Sequence, residues 1–292
     1  MYKQIAQNKR RTVAIMGVFV LIVGAVAALF AWYFRDPWIA VWTVVVAAVY
    51  AVIQYFAAGS LATAMAGARE ISKKDNPTFY NVVENLSITT GLPMPKVYVI
   101  DDPAPNAFAT GRDPQHAVVV ATTGLLDIMN KKELEAVMAH EMSHVKNYDI
   151  RVSMIVFGLV CMIGLISDMA MRMMFWGNRR RDNEGSPVGY ILIVVAAILS
   201  PIVAALAQMA VSREREYLAD ASAVNITRYP EGMIAALKKL QSQGRPMKNQ
   251  NTASAQMYIN NPLRKGFFDN LFSTHPPIEK RIERLENGKK TF

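Results

Sequence analysis

The sequence predicts a mainly α-helical membrane protein that also carries a small β-sheet. Hydrophobic residues make up 52% of its 292 residues, and much of that excess lies in four apolar runs. Two short β-rich segments lie between the second and third runs, and a His-Glu-Met-Ser-His motif follows them. These observations predict an N-terminal transmembrane hairpin, a second hydrophobic helical pair, and an α+β domain divided by that pair.

The first two apolar runs form the predicted hairpin, which we assign to residues 1–58. Residues 12–34 and 38–58 are each long enough to cross about 30 Å of hydrocarbon as a helix, and Asp36-Pro37 provides a tight turn between them. The first run is longer than the apolar part of a secretory signal, and no small-residue cleavage site precedes Arg35. We therefore expect a retained membrane anchor.

The charge distribution favours a lipid bilayer over nucleic acid as the partner of the basic residues. The net charge is +9, but the basic residues cluster beside the apolar runs, as in the positive-inside pattern. We therefore expect anionic lipid headgroups, and no nucleic acid, to face these charges. The residues concerned are Lys3, Lys9, Arg10, Arg11, Arg69, Lys73 and Lys74.

Residues 59–150 are predicted to be the first part of the soluble domain, which opens with helical segments. Residues 61–71 are Ala-rich and are expected to continue the second membrane helix. Asn76 is then a suitable N-cap with Pro77 at the first helical position, and the helix that they open should close near Gly91.

A small sheet is predicted next. Residues 96–100 and 116–121 are rich in residues that favour strands, and a turn-rich segment, 101–114, separates them. We expect the two strands to form a small antiparallel sheet. The edge of such a sheet is able to bind an extended peptide as an added strand.

The His-Glu-Met-Ser-His motif lies on the following predicted helix, whose start is marked by Asn130 and Glu133 as a capping pair. His140 and His144 are four residues apart, so on a helix they project from one face and are able to bind one zinc ion. Glu141 lies beside them, placed to act as general base on a water molecule, which is typical of metalloproteases. Chance produces this motif in roughly one chain in a hundred of this size, so its context decides. The single cysteine, in the third apolar run, provides no further metal site.

The third and fourth apolar runs, about 152–176 and 188–211, form a second hydrophobic pair within residues 151–211. The third run is short for a membrane span. With a cytoplasmic N-terminus, the basic loop 177–187 falls on the outer side, where Arg is disfavoured. The pair therefore either crosses the membrane twice, or forms a hairpin that enters it partly or not at all, and each alternative returns the chain to the side of His140.

Residues 212–292 are predicted to be the second part of the soluble domain, and they offer candidates for a third metal ligand. Glu216 and Asp220 are four residues apart and share one helical face, so one carboxylate is able to bind the metal while the other holds an imidazole. The same spacing fits a solvated face of alternating charge. A mobile polar loop over 241–263 and a final basic helix, 278–287, complete the prediction.

The ordered set of motifs resembles the HtpX-type membrane zinc metalloproteases, which share a clan with the CAAX prenyl endopeptidases. The resemblance covers nearly the whole chain: the hairpin, AHEMSHVKNYD, the second hydrophobic pair, SREREYLAD and STHPPIEKRIERL occur in that family's order. It implies a zincin-like domain with one zinc ion per chain. The implied ligands are His140, His144 and Glu216, with Glu141 as the catalytic base and Asp220 orienting His140. Asn106, His275 and Arg281 match positions that bind substrate or stabilise the transition state.

The resemblance further implies an integral-membrane endopeptidase of proteolytic quality control, active in stress. It would lie in the bacterial cytoplasmic (inner) membrane with its active site facing the cytoplasm, and would cleave misfolded or damaged membrane proteins and unfolded proteins. Two alternatives stay open. A CAAX-type prenyl-peptide endoprotease is disfavoured by the small number of predicted spans. A non-catalytic, zinc-stabilised membrane scaffold is disfavoured by the motif's glutamate, because a closed structural site needs no base. The sequence predicts no oligomeric state.

Overall fold

The described part of the chain consists of helices arranged around one four-stranded sheet. The structure is a computed structural model that describes residues 2–177, 194–195, 197–199, 213–250, 253–263 and 276–288. Its helices are α1 (Tyr2–Phe34), α2 (Pro37–Met65), α3 (Pro77–Thr90), α4 (Thr123–Ile128), α5 (Lys131–Lys146), α6 (Asp149–Gly177), α7 (Arg213–Thr227), α8 (Pro230–Gln243) and α9 (Ile278–Gly288). The strands are β1 (Ala68–Glu70), β2 (Lys96–Ile100), β3 (Ala107–Thr110) and β4 (Val118–Thr122).

α1 and α2 are joined at the predicted turn. The Asp36 side chain caps α2 by accepting a hydrogen bond from the Trp38 amide at 2.9 Å, and Pro37 takes the first helical position. Among the described residues, Ala40–Ala57 of α2 is the one single-helix window long and apolar enough to cross a membrane, and only 6% of it is buried. The predicted span 12–34 lies along α1 and stays a prediction.

α2 ends earlier than the sequence predicts. The helix stops at Met65, and Gly67 adopts the left-handed backbone conformation with φ of 69°. The chain then reverses into β1, which pairs antiparallel with β2. The prediction that residues 61–71 form a continuous helix is therefore wrong, because the chain leaves the helix to add an edge strand to the sheet.

The sheet is mixed, with the strand order β1-β2-β4-β3. β2 and β4 are parallel, so the predicted antiparallel pairing of these two segments is wrong. The reason lies in their connection, which the sequence marks only as turn-rich. This segment contains β3, which runs back antiparallel to β4 on its outer side, so that β4 runs in the same direction as β2. His116 lies in a 3-10 turn, Pro114–His116, before β4 begins.

The predicted ends of α3 and the predicted start of α5 are confirmed. Asn76 accepts a hydrogen bond from the Phe79 amide at 3.0 Å, and Gly91 closes α3 with φ of 68°. Asn130 and Glu133 form a reciprocal capping box at the start of α5, with distances of 3.0 Å (Glu133 amide to Asn130 Oδ1) and 2.8 Å (Asn130 amide to Glu133 Oε2). α5 is buried along most of its length between α3, α7, α8 and the sheet, so its inward side chains are held on every side.

The predicted mobile loop, 241–263, is instead packed onto the sheet over much of its described length. Met257, Tyr258 and Ile259 are buried, and the rings of Phe108 and Tyr258 lie 4.8 Å apart. The Ile259 amide donates to the Ala107 carbonyl of β3 at 2.9 Å. The few apolar residues within this polar stretch therefore hold it against the outer edge of β3.

The second hydrophobic pair is described only in its first half. α6 extends over 29 residues, and Arg172 Nε lies 2.8 Å from Asp168 Oδ2 on its exposed side. The predicted helix 188–211 and the basic loop before it lie almost wholly outside the described residues. The predicted domain division and the number of membrane crossings therefore stay predictions.

Candidate metal centre

α5 brings the two motif histidines together on one face. His140 is fully buried, and its ring lies 4.8 Å from that of His144 in an edge-to-face arrangement. The two Nε2 atoms are 3.2 Å apart. The spacing of four residues therefore places both imidazoles on one helical face, as the sequence predicts, and the Nε2 atoms of the two rings point to the same place.

The third predicted ligand comes from α7. Glu216 is buried, and its two carboxylate oxygens lie 3.5 Å from His140 Nε2 and 3.6 Å from His144 Nε2. Among the described residues, these three form the one group of His, Cys, Asp and Glu side chains with metal-binding geometry. The interpretation of Glu216 as part of a solvated charged face therefore does not hold for this residue.

The spacing of the three donors fits a zinc ion. Donors that lie about 2.0–2.2 Å from a tetrahedral ion are separated from one another by about 3.3–3.6 Å. The two Nε2 atoms are 3.2 Å apart, one oxygen of Glu216 lies 3.5 Å from His140 Nε2, and its other oxygen lies 3.6 Å from His144 Nε2. Two imidazole nitrogens and one carboxylate oxygen are also the donor set that catalytic zinc sites use, with a fourth position left for water or substrate.

His140 is oriented by a buried carboxylate, which is in turn held by a buried guanidinium. Asp220 Oδ1 lies 2.9 Å from His140 Nδ1, and Arg281 donates to both oxygens of Asp220 at 2.9 and 2.7 Å. Burial alone would raise the pKa of Asp220, but Arg281 and His140 outweigh it and lower the pKa to about 2. Burial would lower the pKa of His140, but Asp220 and Glu216 raise it on balance. The ring therefore presents Nε2 toward Glu216 while Nδ1 faces a carboxylate.

His144 has a carboxylate partner that the sequence analysis did not identify. Asp149 Oδ2 lies 3.1 Å from His144 Nδ1, so each imidazole is paired with its own acid. Burial would lower the pKa of His144, but Glu216, Asp149 and Glu141 raise it to about 9. One signal for Asp149 exists in the sequence: it is the last residue of the AHEMSHVKNYD stretch, just beyond the end of the motif helix.

Glu141 lies within electrostatic reach of the cluster. It is buried, and its carboxylate helps to raise the pKa of both His144 and Arg281. The side chain of His144 is 14% exposed, whereas that of His140 is 1% exposed and that of Glu216 is 5% exposed. Solvent therefore reaches the three donors from the His144 side.

The remaining predicted site residues are placed differently. Asn106 is buried against the loop segment at the edge of β3, where its Nδ2 donates to the Asn260 carbonyl at 2.8 Å and its Oδ1 accepts from the Asn260 amide at 3.1 Å. Arg281 is 1% exposed and is bound to Asp220. His275 lies outside the described residues. The substrate or transition-state roles of all three stay predictions.

Comparison with known proteins gives concordant relatives. Residues 73–289 match the family described as Peptidase family M48. A protein of Tropheryma whipplei (strain Twist) named "Protease HtpX homolog" is 55% identical over 292 residues, covering all of both chains. A protein of Ligilactobacillus salivarius (strain UCC118) with the same name is 46% identical over 296 residues, covering 98% of this chain and 99% of the relative. The crystal structure of S. mikatae Ste24p aligns with a TM-score of 0.52 at 19% identity, covering 98% of this chain and 67% of that chain, which is a likeness of fold.

Proposed function

The chain belongs to peptidase family M48 and is a metalloprotease, and on that premise we propose that it is an integral-membrane zinc endopeptidase of protein quality control. Its substrates in this proposal are misfolded or damaged membrane proteins and unfolded chains, cleaved on the cytoplasmic side of a bacterial inner membrane. The observation that carries the proposal is the convergence of His140, His144 and Glu216, whose ligand atoms lie within 4.8 Å of one another, in a site that the buried Glu141 adjoins.

In this proposal, the three converging residues hold one zinc ion. When bound, zinc supplies a Lewis acid that polarises the scissile carbonyl and lowers the pKa of a water molecule. The protein keeps both imidazoles in the required tautomer, since Asp220 and Asp149 each face a ring Nδ1.

Glu141 is the proposed general base. It takes a proton from the attacking water and returns it to the nitrogen of the leaving amine when the peptide C–N bond breaks. Its burial next to His140 in the sequence, and its electrostatic effect on His144, support this role because they put its carboxylate in the neighbourhood of the metal site. Arg281 itself acts by holding Asp220, which in turn holds His140.

The membrane placement rests on α2 and on the charges around the hairpin. Only 6% of the window Ala40–Ala57 is buried, and large apolar side chains such as Trp42, Val46 and Phe56 are exposed, which suits a hydrocarbon surface and not water. The basic residues that precede α1's apolar run and follow α2 support a hairpin with both ends in the cytoplasm. The protease domain follows directly, so in this proposal the site lies on the same side.

The test compares purified full-length wild type with Glu141→Gln for zinc content and casein cleavage. We expect one zinc per chain in both proteins and cleavage by the wild type alone. Glu135→Gln is the matched control, since Glu135 lies on the same helix and pairs with Lys132 at 3.4 Å, away from the metal site. Substantial cleavage by Glu141→Gln would sink the proposed mechanism.

Two further arms address the alternative functions. A farnesylated peptide cleaved much faster than unfolded casein would move the substrate assignment to the prenyl-protease class and leave the zinc mechanism intact. A wild type that binds zinc, cleaves neither substrate and unfolds when zinc is chelated would indicate the structural-zinc scaffold.

A further inference from the structure

One side chain of α1 reaches the neighbourhood of the metal site. Asn8 is 4% exposed, and its Nδ2 donates to Asp149 Oδ1 at 2.7 Å and to the Asn147 carbonyl at 2.8 Å. Both amide hydrogens are thus used, on acceptors 141 and 139 residues away in the chain. The first predicted membrane helix therefore makes two direct hydrogen bonds to the segment that follows the motif.

The Asp149 carboxylate receives donors from three different helices. His144 Nδ1, on α5, faces Oδ2 at 3.1 Å, while Asn8, on α1, and the NH1 of Arg215, on α7, face Oδ1 at 2.7 and 3.3 Å. Oδ1 is held by two donors, so the carboxylate plane is fixed and Oδ2 is directed at the imidazole. The orientation of His144 thus depends on Asn8 and Arg215, which act on the imidazole through the Asp149 carboxylate.

The backbone at this point explains why such support is needed. α5 and α6 meet at an angle of 80°, and Tyr148 between them has a φ of 61°, a conformation that costs a non-glycine residue about 1 kcal/mol or more. Asn8 bonds to the carbonyl of Asn147 and the carboxylate of Asp149, which flank Tyr148 on either side. The side-chain amide of Asn8 therefore stabilises both the bend between α5 and α6 and the position of the Asp149 carboxylate.

We propose that Asn8 is a positioning residue for the metal centre, acting on His144 through Asp149. The inference rests on the proposed zinc function and extends it by making α1 a part of the metal site. Packing of Ile15 of α1 with Val152 and Val156 of α6 keeps the helix in place independently of Asn8. Loss of a direct partner of a metal ligand lowers metal affinity about 10–100-fold. Because Asn8 acts one step further out, we expect about three- to tenfold for Asn8→Ala.

The test measures zinc affinity by competition with a chromogenic chelator, using the full-length protein in detergent with Glu141→Gln to prevent self-cleavage. We expect Asn8→Ala to weaken zinc binding in the presence of Asp149, and to add nothing once Asp149→Ala has been introduced. Asn8→Asp should weaken binding more than Asn8→Ala, because it places a second carboxylate against Asp149. A role in packing alone predicts the opposite order.

Thr12→Ala is the matched control. Thr12 lies one turn further along α1, is 6% exposed, and its hydroxyl has no hydrogen-bond partner among the described residues. It should change thermal stability without changing zinc affinity. Wild-type affinity in Asn8→Ala, or additive losses in the double variant, would overturn the coupling and leave the zinc proposal standing. Failure of the wild type to bind zinc would overturn both.

Discussion

Arg281 and Asp220 form a bidentate ion pair in the interior of the protease domain, with Nε–Oδ2 and NH2–Oδ1 distances of 2.9 and 2.7 Å. Both side chains are almost fully buried. Asp220 uses Oδ1 a second time to face His140 at 2.9 Å. The pair therefore links α9, near the end of the chain, to the motif helix, and it keeps the acid ionised where burial alone would favour its protonation.

Arg281→Lys should destabilise the protein strongly even though it keeps the positive charge. Lysine offers no planar fork for two oxygens, so the buried Asp220 would lose part of its compensation. Removing one partner of a buried ion pair typically costs about 3–5 kcal/mol of stability. We expect a loss of up to this size for Arg281→Ala. Thermal unfolding in detergent measures the loss. Arg284, three residues along α9, is exposed, so Arg284→Lys serves as the control. An equal loss of stability in Arg281→Lys and Arg284→Lys would contradict the structural role of the Arg281–Asp220 pair.

Asp220 should make the protein acid-sensitive in a defined pH window. Its folded-state pKa of about 2 lies below the ordinary value of about 3.9, so the stability that it contributes is present above about pH 4. That stability is lost as the pH falls through about 2. The difference corresponds to about 2 kcal/mol. Unfolding free energies of chelated wild type and Asp220→Asn, compared between pH 5 and pH 2, should converge at the acid end. Parallel pH curves would refute the shift.

Zinc binding should release protons near neutral pH. The carboxylates around His144 raise its pKa to about 9, so in chelated protein this imidazole carries a proton at pH 7.5, and zinc must displace it. Affinity should therefore rise about tenfold per pH unit for each proton released, until the pH passes about 9. Titration calorimetry in buffers of different ionisation enthalpy counts the protons. His116→Ala, which removes an exposed histidine bound to Asp113, should leave the count unchanged.

The sequence predicts well those parts of the site that depend on spacing along one helix. The four-residue separation places His140 and His144 together, and the capping pair predicts where their helix begins. Glu216 required the family resemblance, because alternating charge on a helix fits a solvated face equally well. Asp149 lies within the motif stretch, yet its role depends on a bend after α5 that periodicity does not reveal.

Contacts between distant parts of the chain could not be predicted in this way. Asn8 is an ordinary polar residue before an apolar run, and nothing local indicates that it meets Asp149. The parallel pairing of β2 and β4 likewise depends on where β3 inserts, and β3 is not predicted because it lies within a turn-rich segment. The loop before α9 reads as polar and mobile because the few apolar residues that hold it to β3 follow no regular spacing.

Asn106→Ala should release that loop from the sheet and not act primarily on the metal. The Asn106 side chain makes two hydrogen bonds to the main chain of Asn260, so its removal leaves two backbone groups without those partners. We expect about 1–3 kcal/mol of local destabilisation and faster trypsin cleavage after Lys248. The measurement uses Glu141→Gln protein to exclude self-cleavage, with the exposed Asn85→Ala as control. Unchanged trypsin sensitivity combined with lost casein cleavage, tested with Glu141 intact, would assign Asn106 to substrate binding instead.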